Sequence, residues 1–272
     1  MRRALAAAVI AAAVTAVGCG DDTPGDPGSG DPGSGDPGSS DRGAGVGALG
    51  GSARTETLAR TRLARRPPGE LVWVADETRL GPGEEIRHAH GLAFAYGRED
   101  AQWLSGAGST RSPSATGGEV SLGRGDGAAI AAGAPHTHSA GEAGSTFWEI
   151  RLAARGAPPP QGAGQARRVF ESEPLRGIPE PAVVSLIEVT VPPRGGETTI
   201  HTHPGPEFIY QLSGRIDYQN AIVGTKRLGP GGAEGIPPGT PVQKRNPLSR
   251  PASFLSLFLV DPDKPFAPKA SF

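Results

Sequence analysis

Several features that mark common protein classes are missing from this sequence. It has one cysteine in 272 residues, so no intramolecular disulfide can form. Its formal net charge is −1, which offers no basic surface, and we expect no nucleic-acid partner. No Ser-His-Asp arrangement, phosphate-binding loop or Cys-x-x-Cys pair is recognisable. Patterns of helical period are scarce after residue 67, which argues against a helical fold.

The single cysteine lies at the end of a short apolar segment. Arg2 and Arg3 precede an alanine-rich run over residues 4–17, which is too short to span a bilayer comfortably and is typical of an export signal. The run ends in A-V-G-C, which resembles a bacterial lipobox except that alanine stands where leucine is usual. We predict a signal peptide over residues 1–18, lipidation at Cys19 and a location in the cell envelope. An ordinary cleaved signal with an incidental cysteine is the alternative.

The segment after the cysteine has almost no apolar side chains. The sequence G-D-P-G-S occurs three times between residues 25 and 39, and such repeats cannot build a core. We predict a disordered tether here, as part of a lipid-anchored linker over residues 19–66. The arginine-rich end of this linker, residues 53–66, is compatible with a short helix. A solvated linker end is preferred there over a basic membrane-contact segment.

A pair of histidines forms the most informative motif. His201 and His203 are two residues apart, so in a β-strand both imidazoles point to the same face. Turn residues follow, and a tight return of the chain brings Glu207 beside the pair. Two imidazoles and a carboxylate suit Fe, Mn, Ni or Zn as a divalent ion, with coordination positions left open. We predict a transition-metal site at these three residues.

The spacing around the pair is specific. Five residues separate Gly195 from His201, and six residues separate Glu207 from Gly214. This pattern resembles the first motif of the cupin superfamily at every defined position. The resemblance implies a small antiparallel β-barrel, a double-stranded β-helix, with the metal inside. Alternation along the strand from Glu207 turns Gln211 to the inner face, which makes it a candidate pocket residue.

The second cupin motif follows with one departure. Gly231, residues 237–239 (P-P-G) and Asn246 match it, but Val242 stands where the family usually has its third histidine. Valine cannot bind a metal, so we expect an apolar wall of the pocket at Val242. Gln243 is adjacent, but strand alternation turns it to the other face.

The earlier half of the sequence looks like a divergent copy. All six histidines fall into H-x-H pairs, of which the earlier half holds 88/90 and 136/138. His136 takes the second-motif position that valine fills in the later half, while Ala93 or Phe94 falls near the place of the glutamate. We predict a cupin-like barrel over residues 67–155 and a cupin barrel over 165–268. His88, His90 and His136 form a candidate second metal site; a structural barrel with pocket-lining histidines is the alternative.

Short strands and Gly/Pro turns predict an all-β fold of tandem small antiparallel barrels. The cupin superfamily has many activities, so function must come from the site. We predict a cell-envelope lipoprotein whose metal-binding barrel binds a small molecule, with the membrane contacted through the lipid anchor. The alternative is a metal-dependent dioxygenase of phenols or diketones. A sugar isomerase or epimerase is less favoured, because its acid–base residues are not identifiable. Catalytic residues are therefore not assigned, and a homodimer is compatible with the sequence.

Overall fold

The computed structural model describes residues 48–106, 118–160, 162 and 166–272. The predicted signal peptide, the lipidation at Cys19 and the G-D-P-G-S repeats lie outside these residues. Within them all regular structure is β-strand, which confirms the all-β prediction. The described part of the chain has no helix long and apolar enough to cross a membrane.

The strands of the first half are short, and glycine-containing turns connect several of them. They are β1 (Arg54–Leu63), β2 (Leu71–Leu80), β3 (Glu85–His88), β4 (Ala93–Glu99), β5 (Gln102–Gly106), β6 (Val120–Leu122), β7 (Gly127–Ile130), β8 (His136–Ala140), β9 (Ser145–Ala154) and β10 (Arg167–Glu171).

The second half continues in the same manner. Its strands are β11 (Ala182–Val191), β12 (Glu207–Ser213), β13 (Ile216–Asn220), β14 (Gly224–Leu228), β15 (Ala233–Ile236), β16 (Val242–Arg245) and β17 (Ala252–Val260).

Each half of the chain pairs a large sheet with a small one. The first half has a sheet in the order β10-β2-β9-β4-β7 and a second in the order β3-β8-β5-β6. The second half has β1-β11-β17-β12-β15 and β14-β13-β16. All pairings between these strands are antiparallel. The order β2-β9-β4-β7 repeats as β11-β17-β12-β15, so the two barrels share one topology, and the prediction of tandem barrels is confirmed.

Strands β1 and β10 each pair with the barrel formed by the other half of the chain. Strand β1 pairs with β11, from Arg54 opposite Thr190 to Leu63 opposite Ala182. Strand β10 lies within residues 165–268, predicted to form the C-terminal barrel, yet it pairs with β2 of the N-terminal barrel. The sequence predicts a linker end or a short helix over residues 53–66, and this is corrected: Arg54–Leu63 is an edge strand. Its arginines obscure the pattern, yet charged side chains are common on edge strands because they block edge-to-edge pairing.

The two large sheets pack against each other through a shared aromatic layer. Phe170 lies 5.0 Å from Phe208 between ring centroids, and Trp148 lies 5.5 Å from Tyr210. These residues belong to one buried cluster that draws side chains from both sheets. The described residues of both barrels therefore belong to a single compact unit.

The barrel interiors differ in the size of their side chains. The C-terminal interior contains Tyr218, Phe254 and Phe258, all fully buried. The N-terminal interior is lined in part by alanines, among them Ala93 and Ala95. The positions around the N-terminal histidines thus carry less bulk than their C-terminal counterparts.

Candidate metal centres

The C-terminal barrel brings together the three residues predicted as metal ligands. One nitrogen each of His201 and His203 and one oxygen of Glu207 lie within 4.8 Å of one another. Nε2 of His203 lies 3.4 Å from Oε2 of Glu207. All three side chains are buried inside the barrel. Metal binding by these residues stays a prediction.

Both imidazoles of this site are held in a defined tautomer. Nδ1 of His201 donates to the carbonyl of Thr199 at 2.7 Å, and Nδ1 of His203 donates to that of Phe266 at 2.8 Å. A carbonyl oxygen can only accept, so each Nδ1 carries the proton and each Nε2 keeps its lone pair. Neither Nε2 has a hydrogen-bond partner among the described residues. Such orientation of an imidazole is what metal ligands require.

A lysine that the sequence analysis missed enters the same site. Nζ of Lys244 lies 3.1 and 2.9 Å from the two carboxylate oxygens of Glu207, and its side chain is fully buried. Ser256 Oγ donates a further hydrogen bond of 2.8 Å to Oε1 of Glu207. Lys244 is two residues after Val242, so the strand alternation that turns Gln243 away also turns Lys244 inward. Continuing that alternation by one step would have found it.

The charges in this site are balanced without a metal. Burial raises the pKa of Glu207, but Lys244 and the two histidines outweigh it and lower this pKa to about 2. Burial, aided by Lys244, lowers the pKa of His201 to about 3 and that of His203 to about 4. At neutral pH the site therefore holds one cation, one anion and two neutral imidazoles.

The two predicted pocket residues also lie inside the C-terminal barrel. Val242 is fully buried in the interior cluster, and its backbone exchanges hydrogen bonds of 2.9 and 3.1 Å with His201. Gln211 is buried, and its Nε2 donates to the carbonyl of Ser213 at 2.7 Å. Gln243 instead donates to the backbone carbonyl of Thr198.

The N-terminal barrel holds a second and larger cluster. His88, His136, His138 and Glu149 each place one ligand atom within 4.8 Å of the others. Oε2 of Glu149 lies 2.7 Å from Nε2 of His88, 3.4 Å from that of His138 and 4.0 Å from that of His136. His90 approaches the other oxygen, with Nε2 2.8 Å from Oε1. All four histidines of this half thus surround one buried carboxylate, including the three predicted at 88, 90 and 136.

A hydrogen bond from Nδ1 fixes the orientation of three of these imidazoles. Nδ1 of His90 donates to the carbonyl of Gly91 at 2.7 Å, and Nδ1 of His136 donates to that of Ala134 at 3.0 Å. Nδ1 of His138 donates to the side-chain oxygen of Gln102 at 3.0 Å. The Nε2 lone pairs therefore point toward the carboxylate. Two acceptors only 2.8 Å apart, as in His90 and Glu149, repel each other unless a proton or a cation lies between them.

Glu149 reaches this site from a strand that the cupin motif does not use. Ala93 lies opposite Arg151 in the N-terminal sheet, as Glu207 lies opposite Phe258 in the C-terminal sheet. Ala93 therefore takes the position of the motif glutamate. Glu149 lies instead on β9, at the position equivalent to Ser256. The sequence analysis missed it, although a lone acidic residue in a buried apolar strand was a signal.

The electrostatics of this cluster favour a cation. Burial raises the pKa of Glu149, but the four imidazoles around the carboxylate outweigh burial and hold this pKa well below its ordinary value. Burial lowers the pKa of His138 to about 4. The nearest guanidinium is that of Arg151, whose Nε lies 3.7 Å from Oε1 of Glu149 and whose Nη2 is bound to Asp76 at 2.6 Å. Three imidazole nitrogens and a carboxylate are the donor set of a divalent transition metal.

Comparison with known proteins matches the second barrel to a family. Residues 187–258 match the family model described as the cupin domain. This match lies within the C-terminal barrel. No curated protein sequence matches the chain significantly.

Solved structures that resemble this chain include bacterial oxalate decarboxylases. The formate complex of the Lactobacillus farciminis enzyme has 14% identity and a TM-score of 0.52, covering 81% of this chain and 84% of that one. A mutant of the Bacillus subtilis enzyme has 18% identity and a TM-score of 0.54, covering 81% and 75%. A structure from work on the Mn(II) centres of the Bacillus subtilis enzyme has 18% identity and a TM-score of 0.51, covering 82% and 76%. At these identities the likeness shows the fold alone.

Proposed function

We propose that this protein is a cell-envelope cupin that holds a divalent transition metal in its N-terminal barrel and uses it to bind a small molecule. One observation carries the metal part: three oriented imidazoles turn their Nε2 lone pairs toward the buried carboxylate of Glu149, to which Nε2 of His88 donates a hydrogen bond of 2.7 Å. Burying a carboxylate among acceptor atoms costs free energy unless a cation compensates it. The export signal and the sole cysteine, Cys19, support the location.

The residues of the N-terminal barrel would divide the work of metal binding. His88, His136 and His138 would supply nitrogen ligands, and Glu149 would supply the negative charge. Gln102 would fix the ring of His138 from behind, since it accepts the proton of Nδ1. A metal bound there would supply a Lewis acid able to accept a chelating molecule.

The absence of bulk near the cluster supports a small-molecule site. Ala93 stands at the position where the C-terminal barrel has Glu207, and Ala95 follows it on the same face. Both side chains are shorter than those at the equivalent positions of the C-terminal barrel, Glu207 and Ile209. Because the similar structures are oxalate decarboxylases, small carboxylates are the first ligand class to test. Phenols and diketones are the second, since the dioxygenase alternative requires them.

Metal analysis of the full-length protein tests this proposal. The wild-type chain should retain a transition metal after dialysis, and Glu149→Gln should weaken metal affinity at least tenfold. Glu142→Gln is a matched control, because Glu142 is exposed in the turn before the same strand. Calorimetric titration with oxalate should show binding that depends on the metal. A metal-free wild type, or equal metal content in both variants, would refute the proposal.

A further inference from the structure

The register of the strands aligns the two sites position by position. His138 pairs with Leu104 on β5, and Lys244 pairs with Tyr218 on β13, the equivalent strand of the second barrel. His136 pairs with His88, as Val242 pairs with His201. The second barrel thus has lysine and valine where the first barrel has two histidines.

We infer that the Lys244 ammonium takes the place of a metal ion in the C-terminal barrel, so that this barrel binds no metal and the chain carries a single metal site, in the N-terminal barrel. The location of that single site rests on the function proposed above. The inference excludes the sequence-based prediction of a metal at His201, His203 and Glu207, and one experiment decides between them.

Hydrogen bonding is the first reason. Both oxygens of Glu207 already accept hydrogen bonds from Lys244, and Ser256 gives Oε1 a second one. A metal would have to break these bonds and leave the lysine buried without its partner, which is strongly destabilising. In the N-terminal barrel, by contrast, Oε1 of Glu149 has no hydrogen-bond partner among the described residues.

Charge is the second reason. A divalent ion at His201 and His203 would stand beside a fixed ammonium group, with only the Glu207 carboxylate to offset three positive charges. Repulsion between buried like charges is weakly screened. In the N-terminal barrel the neighbouring cation is Arg151, whose Nε lies 3.7 Å from Oε1 of Glu149 without a hydrogen bond and whose Nη2 is bound to Asp76.

The surroundings of the second site are the third reason. Phe258 and Phe266 lie 4.7 and 5.0 Å from the ring of His203 between centroids. The position of Phe258 is taken by Arg151 in the first barrel. Aromatic rings on this side of His203 offer no polar side chain to a metal or to its bound water.

Metal stoichiometry in the full-length protein tests the inference. Metal is removed with EDTA, Mn(II) is added and excess is dialysed away before elemental analysis. We expect one Mn per chain in wild type, a loss of at least tenfold in Glu149→Gln and a change of less than twofold in His203→Ala. Lys244→Ala should gain a second Mn, whereas Lys226→Ala, at an exposed ion pair with Glu234, should not.

A second measurement covers the case in which Lys244→Ala folds poorly. Its thermal midpoint should fall in EDTA and rise again with Mn(II) by more than that of wild type, because only a metal can then neutralise Glu207. Two Mn per wild-type chain, or one that His203→Ala removes, would overturn the inference while leaving metal binding intact. If wild type binds no Mn, the proposed function fails. The ammonium assignment then stands if Lys244→Ala gains a metal, and it falls if Lys244→Ala gains none.

Discussion

Glu149 on β9 and Ser256 on β17 occupy equivalent positions of the two barrels, yet one is a hydrogen-bond acceptor and the other a donor. Glu149 is the carboxylate that the histidines surround, whereas Ser256 donates a hydrogen bond to the carboxylate of Glu207. The acidic group has thus moved to a neighbouring strand between the two barrels, and it still reaches the same central position.

This relocation predicts that the carboxylate can be moved back. Glu149→Ser should lower metal affinity of the N-terminal site at least tenfold, since one anionic ligand is lost. The double variant Ala93→Glu/Glu149→Ser should recover most of it, because Glu207 reaches the equivalent point from the position of Ala93. Equilibrium dialysis with Mn(II) measures both. A double variant as weak as the single one would show that the two strand positions are not interchangeable.

The buried histidines predict a loss of stability in acid for the metal-free protein. The pKa values of His201, His203 and His138 are lowered to about 3, 4 and 4 from 6.5 in the unfolded chain. Below pH 6.5 the unfolded chain therefore binds more protons than the folded one, and the free energy of unfolding decreases as pH falls. Glu207, with its pKa lowered to about 2 from 4.5, adds to this loss below pH 4.5.

Urea denaturation in EDTA from pH 7 to pH 3 measures this dependence. His203→Gln should flatten the curve between pH 6.5 and pH 4, because one titrating group is gone. Gln219 is half-buried and has no titratable group, so Gln219→Ala should keep the wild-type slope. A stability that rises on acidification would contradict the predicted direction.

Membrane anchoring is predicted at Cys19, which lies outside the described residues. Cys19→Ser should move the protein from the membrane fraction to a soluble or unprocessed form, because no acyl chains can then be attached. Cell fractionation with detection of the processed chain measures this. A processed Cys19→Ser protein that still sediments with membranes would show that the lipobox assignment is wrong.

The aromatic layer between the barrels is predicted to dominate stability. Phe94 is fully buried there, 6.1 Å from Trp73 between centroids. Phe94→Ala should cost about 3–5 kcal/mol of unfolding free energy, as large-to-small changes of buried aromatic residues do. Phe272→Ala, at an exposed position, should change stability by less than about 0.5 kcal/mol. Equal effects of the two changes in denaturant titration would contradict this role.

The sequence was informative where function depends on local spacing. The H-x-H pairs and Glu207 could be assigned because strand alternation and a tight turn are local properties. Lys244 was accessible to the same reasoning, two residues after Val242. Glu149 was not, since its approach to the histidines depends on which strands pair and in which register. Strand β1 was obscured for a similar reason: its apolar residues are few, and its partner β11 lies far along the chain.

The exchange of strands β1 and β10 determines how the chain can be divided. A cut between residues 155 and 165 would give two fragments, each retaining a strand that completes the sheet of the other. Each fragment alone would expose an unpaired sheet edge and part of the aromatic layer, a combination that promotes aggregation. The fragments should instead assemble when mixed, as complementary pieces of one protein. The histidine cluster around Glu149 and the lysine site should therefore form together, because each barrel needs a strand from the other fragment.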